Sequence, residues 1–143
     1  MQRTLNSEQN VAFAVNDANV FRDYAVKTLG VEQENITFLT NATAGQMSQQ
    51  IDKVCKMLSK LGNKAELIVY YAGHGVQVKD ENYLLPTKEV FESELDVEDF
   101  AVSVQRIMRY LEGKTDQVNI LVLDACRDNP FESKWNSSRS LKS

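Results

Sequence analysis

Histidine is almost absent from this chain. Its 143 residues include one, His74, and two cysteines, Cys55 and Cys126. Chemistry that needs an imidazole therefore has a single address. No apolar run approaches the ~20 residues of a membrane-spanning helix. The N-terminus is polar and lacks the apolar core of a secretory leader. Neither membrane insertion nor secretion is expected, and the expected location is cytoplasmic. In that setting two cysteines read as thiols rather than as a disulfide. The net charge is −4 and no basic block is present, which argues against a nucleic-acid partner. No Gly-rich loop follows a strand, and Gly73-His74-Gly75 is too short to cradle a phosphate. That counts against a flavodoxin-like ligand-binding or receiver domain. No internal repeat or low-complexity segment occurs.

What the chain does have is two short apolar runs that end in reactive residues. Glu66-Leu-Ile-Val-Tyr-Tyr-Ala-Gly-His74-Gly75 delivers the histidine. Asn119-Ile-Leu-Val-Leu-Asp124-Ala-Cys126-Arg127-Asp128 delivers a cysteine. Continuous apolar runs of this length read as strands buried on both faces. In open α/β sheets, ligands sit beyond the carboxyl ends of such strands. A Cys and a His at neighbouring strand ends are the minimum equipment for thiol acyl transfer.

The remaining segments alternate around these strands. Residues 1–10 read as a loose polar lead-in. Asn16 or Asp17 then caps a helix to about Leu29, with Ala18, Phe21, Ala25 and Leu29 as its apolar stripe. Ile36 to Leu39 reads as a short strand. Thr43-Ala-Gly-Gln46 is a capping box. It opens a helix to about Leu61, with Met47, Ile51, Val54, Leu58 and Leu61 on its apolar face and Gly62-Asn63 as its stop. The histidine strand is expected to end at Tyr71, with a hairpin over residues 75–85 leaning over the site. Residues 86–100 read as an acidic loop. Ser103 starts a helix to about Leu111, closed by Gly113, before the cysteine strand. Cys55 lies one position off its helix stripe and reads as structural. Hydrophobic content of 43% over 143 residues suffices for one domain with its own core. Strand–helix alternation predicts a parallel-rich sheet with helices on both faces.

Tyr70-Tyr-Ala-Gly-His74-Gly75 followed by Leu123-Asp124-Ala-Cys126-Arg127-Asp-Asn-Pro130 resembles the caspase/metacaspase family of cysteine endopeptidases, nearest its bacterial caspase-like branch. Cys126 follows His74 by 52 positions, against roughly 50 in the caspase spacing. The likeness extends upstream to Ala14-Val-Asn-Asp17-Ala18. It implies a caspase-like, flavodoxin-like three-layer α/β fold, with a peptidase domain over residues 11–143. The expectation is a large-subunit core without counterparts of the family's first strand and small-subunit strands. A small-subunit segment or partner chain would supply the latter.

The resemblance implies Cys126 as nucleophile and His74 as general acid/base. It implies backbone N–H groups of Gly75 and Cys126 as the oxyanion hole. Asp124 stands where caspases carry Gln and metacaspases carry Asp. With Asp17 it would line a pocket for Arg or Lys. The plain alternatives are that Asp17 caps its helix and that Asp124 satisfies backbone amides. Arg127 and Asp128 fit a pocket rim or a surface ion pair equally. Lys134, Arg139 and Lys142 fit a self-cleavage region or a soluble tail. Some metacaspases are Ca²⁺-activated, but no EF-hand spacing is present, so no metal or cofactor is assigned. The function expected is a cysteine endopeptidase acting on protein or peptide substrates. The alternative is a catalytically silent caspase-like scaffold working through protein–protein interaction.

Overall fold

The computed structural model describes residues 2–61, 65–87, 89–114 and 118–126. Helix α1 spans Gln2–Lys27, α2 Ala44–Leu61, α3 Glu94–Phe100 and α4 Val104–Lys114. Strand β1 spans Leu67–Val78, β2 Glu81–Leu85, β3 Val102–Ser103 and β4 Asn119–Cys126. The sheet order is β3-β2-β1-β4. The pair β1–β4 is parallel, whereas β1–β2 and β2–β3 are antiparallel. The α/β layering follows the alternation of the sequence. The sheet itself is mixed among the described residues instead of parallel-rich, because a hairpin and the short β3 extend it on one side.

Alternation along β1 builds the two layers. Leu67 and Tyr71 join a core with Cys55 of α2, Leu84 of β2, and Val104, Ile107 and Leu111 of α4. Val76 and Val78, of opposite parity, pack with Tyr83 and with Val97 of α3. Tyr70 shares that second parity, and Phe21 of α1 stacks on it at 4.2 Å between ring centroids with 5° between planes. Helices α2 and α4 therefore cover one face, and α1 and α3 the other. Cys55 is buried in the first core, in keeping with a structural role.

Several elements depart from expectation. Helix α1 begins at Gln2, so residues 2–10 are helical rather than a loose lead-in, and neither Asn16 nor Asp17 is a cap. No glycine or proline precedes Gly30, so no strong breaker interrupts the helix. Residues 36–39 form no regular element and do not join the sheet. They and β1 both line an apolar cavity of about 570 Å³, also lined by Phe21 and Ile51. The second half of the expected acidic loop is α3, because Ser93 caps it: its hydroxyl accepts from the Asp96 N–H at 3.2 Å.

Other local readings hold. Thr43 Oγ1 accepts from Gln46 N–H at 3.2 Å, and Gln46 Oε1 accepts from Thr43 N–H at 2.9 Å, which is the reciprocal box. Ser103 Oγ accepts from Arg106 N–H at 3.2 Å and opens α4, although α4 runs through Gly113 to Lys114. The hairpin turns at Lys79 and Asp80, both left-handed at φ 51° and 64°, as a two-residue type I′ turn requires. It extends the sheet and packs under α3, with Lys79 Nζ 3.0 Å from Glu98 Oε1. The helix stop at Gly62-Asn63 lies outside the described residues.

Candidate active site

The histidine strand does not end at Tyr71. It runs through His74 to Val78, because new pairing begins where the old one stops. Residues Leu67 to His74 pair with β4, and residues His74 to Val78 pair with β2. His74 is the one position in both registers. It stands opposite Leu85 on one side and opposite Cys126 on the other. Strand ends from two distant segments thus meet in one row of the sheet. Parallel neighbours are about 4.8 Å apart, so that row places the backbones of residues 74 and 126 side by side.

Tyr70 and Tyr71 sit on opposite faces of β1 and do different things. On the α1 face, Tyr70 Oη donates to Asp124 Oδ2 at 3.2 Å. The Tyr70 phenol titrates above its ordinary value. Partial burial is the largest cause, followed by the charge and hydrogen bond of Asp124 and then the charge of Asp17. Asp17 lies within α1, one turn before the stacked Phe21. The Phe21–Tyr70 stack therefore brings α1, and with it Asp17, toward the Asp124 end of β4. Both carboxylates act on one phenol. Asp124 is exposed and Asp17 half-buried, and neither lines the apolar cavity. Tyr70, Gly73 and His74 do line it, so the cavity reaches the histidine row.

On the other face, Tyr71 Oη donates to the carbonyl oxygen of His74 at 2.8 Å and reaches that of Leu85 at 3.3 Å. Burial pushes its pKa up to about 12. Gly73, at φ +156°, makes room for it. A Cβ at position 73 would lie 2.7 Å from Tyr71 Oη, closer than real Cβ contacts allow. The glycine next to the histidine is thus required by a specific neighbour as well as by its backbone angle.

A comparison with family models matches the caspase domain of the C14 peptidases over residues 6–142. The chain belongs to the caspase-domain family. No curated protein is similar enough in sequence to count as a relative. The family is one of cysteine peptidases, and the α/β architecture here fits that membership. Among the described residues, no three His, Cys, Asp or Glu side chains converge as metal ligands, and no helix is long and apolar enough to cross a membrane.

Of the residues singled out from the sequence, this caspase-domain structure puts His74, Gly75 and the Cys126 backbone in adjoining register positions. It ties Asp124 and Asp17 electrostatically to Tyr70. Arg127, Asp128, Lys134, Arg139 and Lys142 lie outside the described residues. Tyr70 and Tyr71 stand in the histidine motif with no role of their own expected from the sequence. The signal available was parity: a Tyr-Tyr pair in a strand must present one hydroxyl to each face, and both need partners when covered.

Proposed function

We propose that this chain carries the catalytic dyad of a cysteine endopeptidase, with Cys126 as nucleophile and His74 as general acid/base, cleaving after Arg or Lys. The observation that carries the reading is the shared register of His74 and Cys126 on parallel neighbours. Positions in register lie on one face of a sheet. Family membership supplies the reaction class.

An ordinary thiol has a pKa of about 8.5, so only a few per cent is thiolate near neutrality. His74 would take the Cys126 proton as sulfur attacks the substrate carbonyl carbon. The C=O π pair moves to oxygen, and the resulting oxyanion accepts from the N–H groups of Gly75 and Cys126. Such donors act where charge develops. Collapse expels the amine, which takes the proton back from His74 and leaves a thioester. Water, deprotonated by His74, hydrolyses the thioester and regenerates the thiol.

Selectivity follows from Asp124 and Asp17. Two carboxylates on one surface favour a guanidinium or ammonium through charge-assisted hydrogen bonds. Tyr70 orients Asp124 by donating to one of its oxygens, leaving the other to accept from the substrate.

The test is turnover of fluorogenic peptides ending in Arg, Lys and Asp. Wild type is compared with Cys126→Ala and His74→Ala, with and without Ca²⁺. The expected result is cleavage after Arg and Lys that falls to background in both variants. Activity that persists without the thiol, or a preference for Asp, would refute the reading.

A further inference from the structure

We infer that Tyr71 is a positioning residue that sets the His74–Gly75 peptide unit for transition-state stabilisation; this rests on the peptidase reading of the same site. Tyr71 Oη donates to the His74 carbonyl at 2.8 Å and approaches the Leu85 carbonyl at 3.3 Å. His74 and Leu85 are register partners, and His74 is also the partner of Cys126. The phenol is therefore fastened at the one row where β2, β1 and β4 meet.

The consequence comes from peptide geometry. The carbonyl of His74 and the N–H of Gly75 belong to one planar trans unit, and they point in opposite directions. Fixing the carbonyl fixes the N–H. That N–H is the proposed oxyanion donor, so a hydroxyl on the far face of the sheet aims a group on which turnover depends. It also fixes the backbone from which the imidazole projects.

Three features make Tyr71 suited to this. Its ring is packed among Cys55, Leu84 and Ile107, so the hydroxyl hangs from a rigid body. Like any phenol it is protonated, and so a donor, throughout the neutral range. Gly73 leaves the space that the hydroxyl occupies. Any covered phenol needs an acceptor; this one takes the carbonyl of the peptide unit whose N–H is the proposed oxyanion donor.

The test compares wild type with Tyr71→Phe, which keeps the ring and removes the donor. With Arg-ending peptides, kcat is expected to fall about tenfold while KM stays within about twofold, because misaiming an oxyanion donor affects the transition state more than substrate binding. The second readout does not need turnover. Backbone ¹⁵N relaxation at Gly75 is expected to change from an order parameter of about 0.85 to below about 0.6. Ring signals of His74, the only histidine, are expected to broaden with it.

4-Aminophenylalanine at position 71 restores an N–H donor on the same ring and should return kcat to within about threefold of wild type. It also serves if the Phe variant does not fold. Failure of this rescue, an unchanged Gly75 order parameter, or a rise in KM in place of a fall in kcat would overturn the inference. A folded wild type that cleaves nothing, alone and with a small-subunit segment supplied, would refute the peptidase reading, and the Gly75 comparison would then decide the backbone restraint alone.

Discussion

Tyr70 of β1 donates its hydroxyl to the carboxylate of Asp124 of β4 at 3.2 Å. The two residues are 54 apart in sequence, and the bond crosses the same strand pair that aligns His74 with Cys126. Asp124, Tyr70, His74 and Cys126 share one parity across these two strands, and Phe21 of α1 stacks on the Tyr70 ring on that face.

Asp124→Asn should separate binding from chemistry. The carboxylate that would receive Arg or Lys becomes neutral while the Tyr70 bond can survive. A lost charge-assisted contact is worth about 1.5–3 kcal/mol, so KM for Arg peptides is expected to rise at least tenfold with a smaller change in kcat. The same substitution should lower the Tyr70 pKa, because a neighbouring anion disfavours phenolate. The pKa should stay above the ordinary value, since burial is the larger cause. A spectrophotometric alkaline titration of wild type against variant reads this directly. An unchanged tyrosine titration would mean that Asp124 does not act on Tyr70 in solution.

Gly73→Ala is expected to destabilise the fold by about 1–3 kcal/mol, from a left-handed backbone and a Cβ forced onto Tyr71 Oη. The cost should shrink in the Tyr71→Phe background, where the 2.7 Å contact disappears and a ring carbon at 3.0 Å remains. A double-mutant cycle by urea denaturation should give a coupling of at least about 0.5 kcal/mol. Strict additivity would show that glycine is needed there for its backbone angle alone.

The meeting of the two motif strands was more legible in the sequence than the frame that holds them. Two apolar runs leading into His74 and Cys126 read as neighbouring strands, and their parallel register bears that pairing out. The extent of β1 was hidden. Ala72-Gly73-His74-Gly75 has weak strand character by itself, and only pairing to β4 and then β2 keeps it extended. Pairing of this kind overrides local propensity. The strand expected at Ile36–Leu39 has apolar residues but pairs with no strand among the described residues. Helix α3 was hidden by its own charge. Glu94, Asp96, Glu98 and Asp99 look like a solvated loop, while Ser93 as cap and Val97, fully buried, mark a short helix.

Thr43→Ala tests the frame without touching the site. The hydroxyl satisfies an N–H that has no partner within α2, and such caps contribute about 1 kcal/mol. The melting temperature should fall by about 3 °C. Turnover at 25 °C should be unchanged to within about 20 per cent, because the side-chain bonds of Thr43 are the reciprocal pair with Gln46. A loss of turnover comparable to that of Tyr71→Phe would show that α2 positions the site more directly than its contacts indicate.

Tyr71 also makes a prediction about alkaline stability. Its pKa rises from 10.0 to about 12 on folding, chiefly through burial. Ionised, it would place a charge among Leu84, Ile107 and the carbonyls it now serves. Between those values the unfolded chain has released the proton and the folded chain has not. The unfolded state therefore binds fewer protons, and stability must fall as pH rises. The neutral phenol's contribution is complete below pH 10 and lost as the pH passes about 12. Two pKa units correspond to roughly 2–3 kcal/mol. Phenylalanine cannot ionise, so Tyr71→Phe should flatten this limb. The gap between wild type and variant should narrow from about pH 9 to about pH 11.5 in urea titrations. Tyr110, also pushed to about 12 through its bond with Asp52, contributes equally to both proteins and cancels in the difference. A gap that stays constant across this range would mean that the Tyr71 hydroxyl is open to solvent and does not hold the His74 carbonyl.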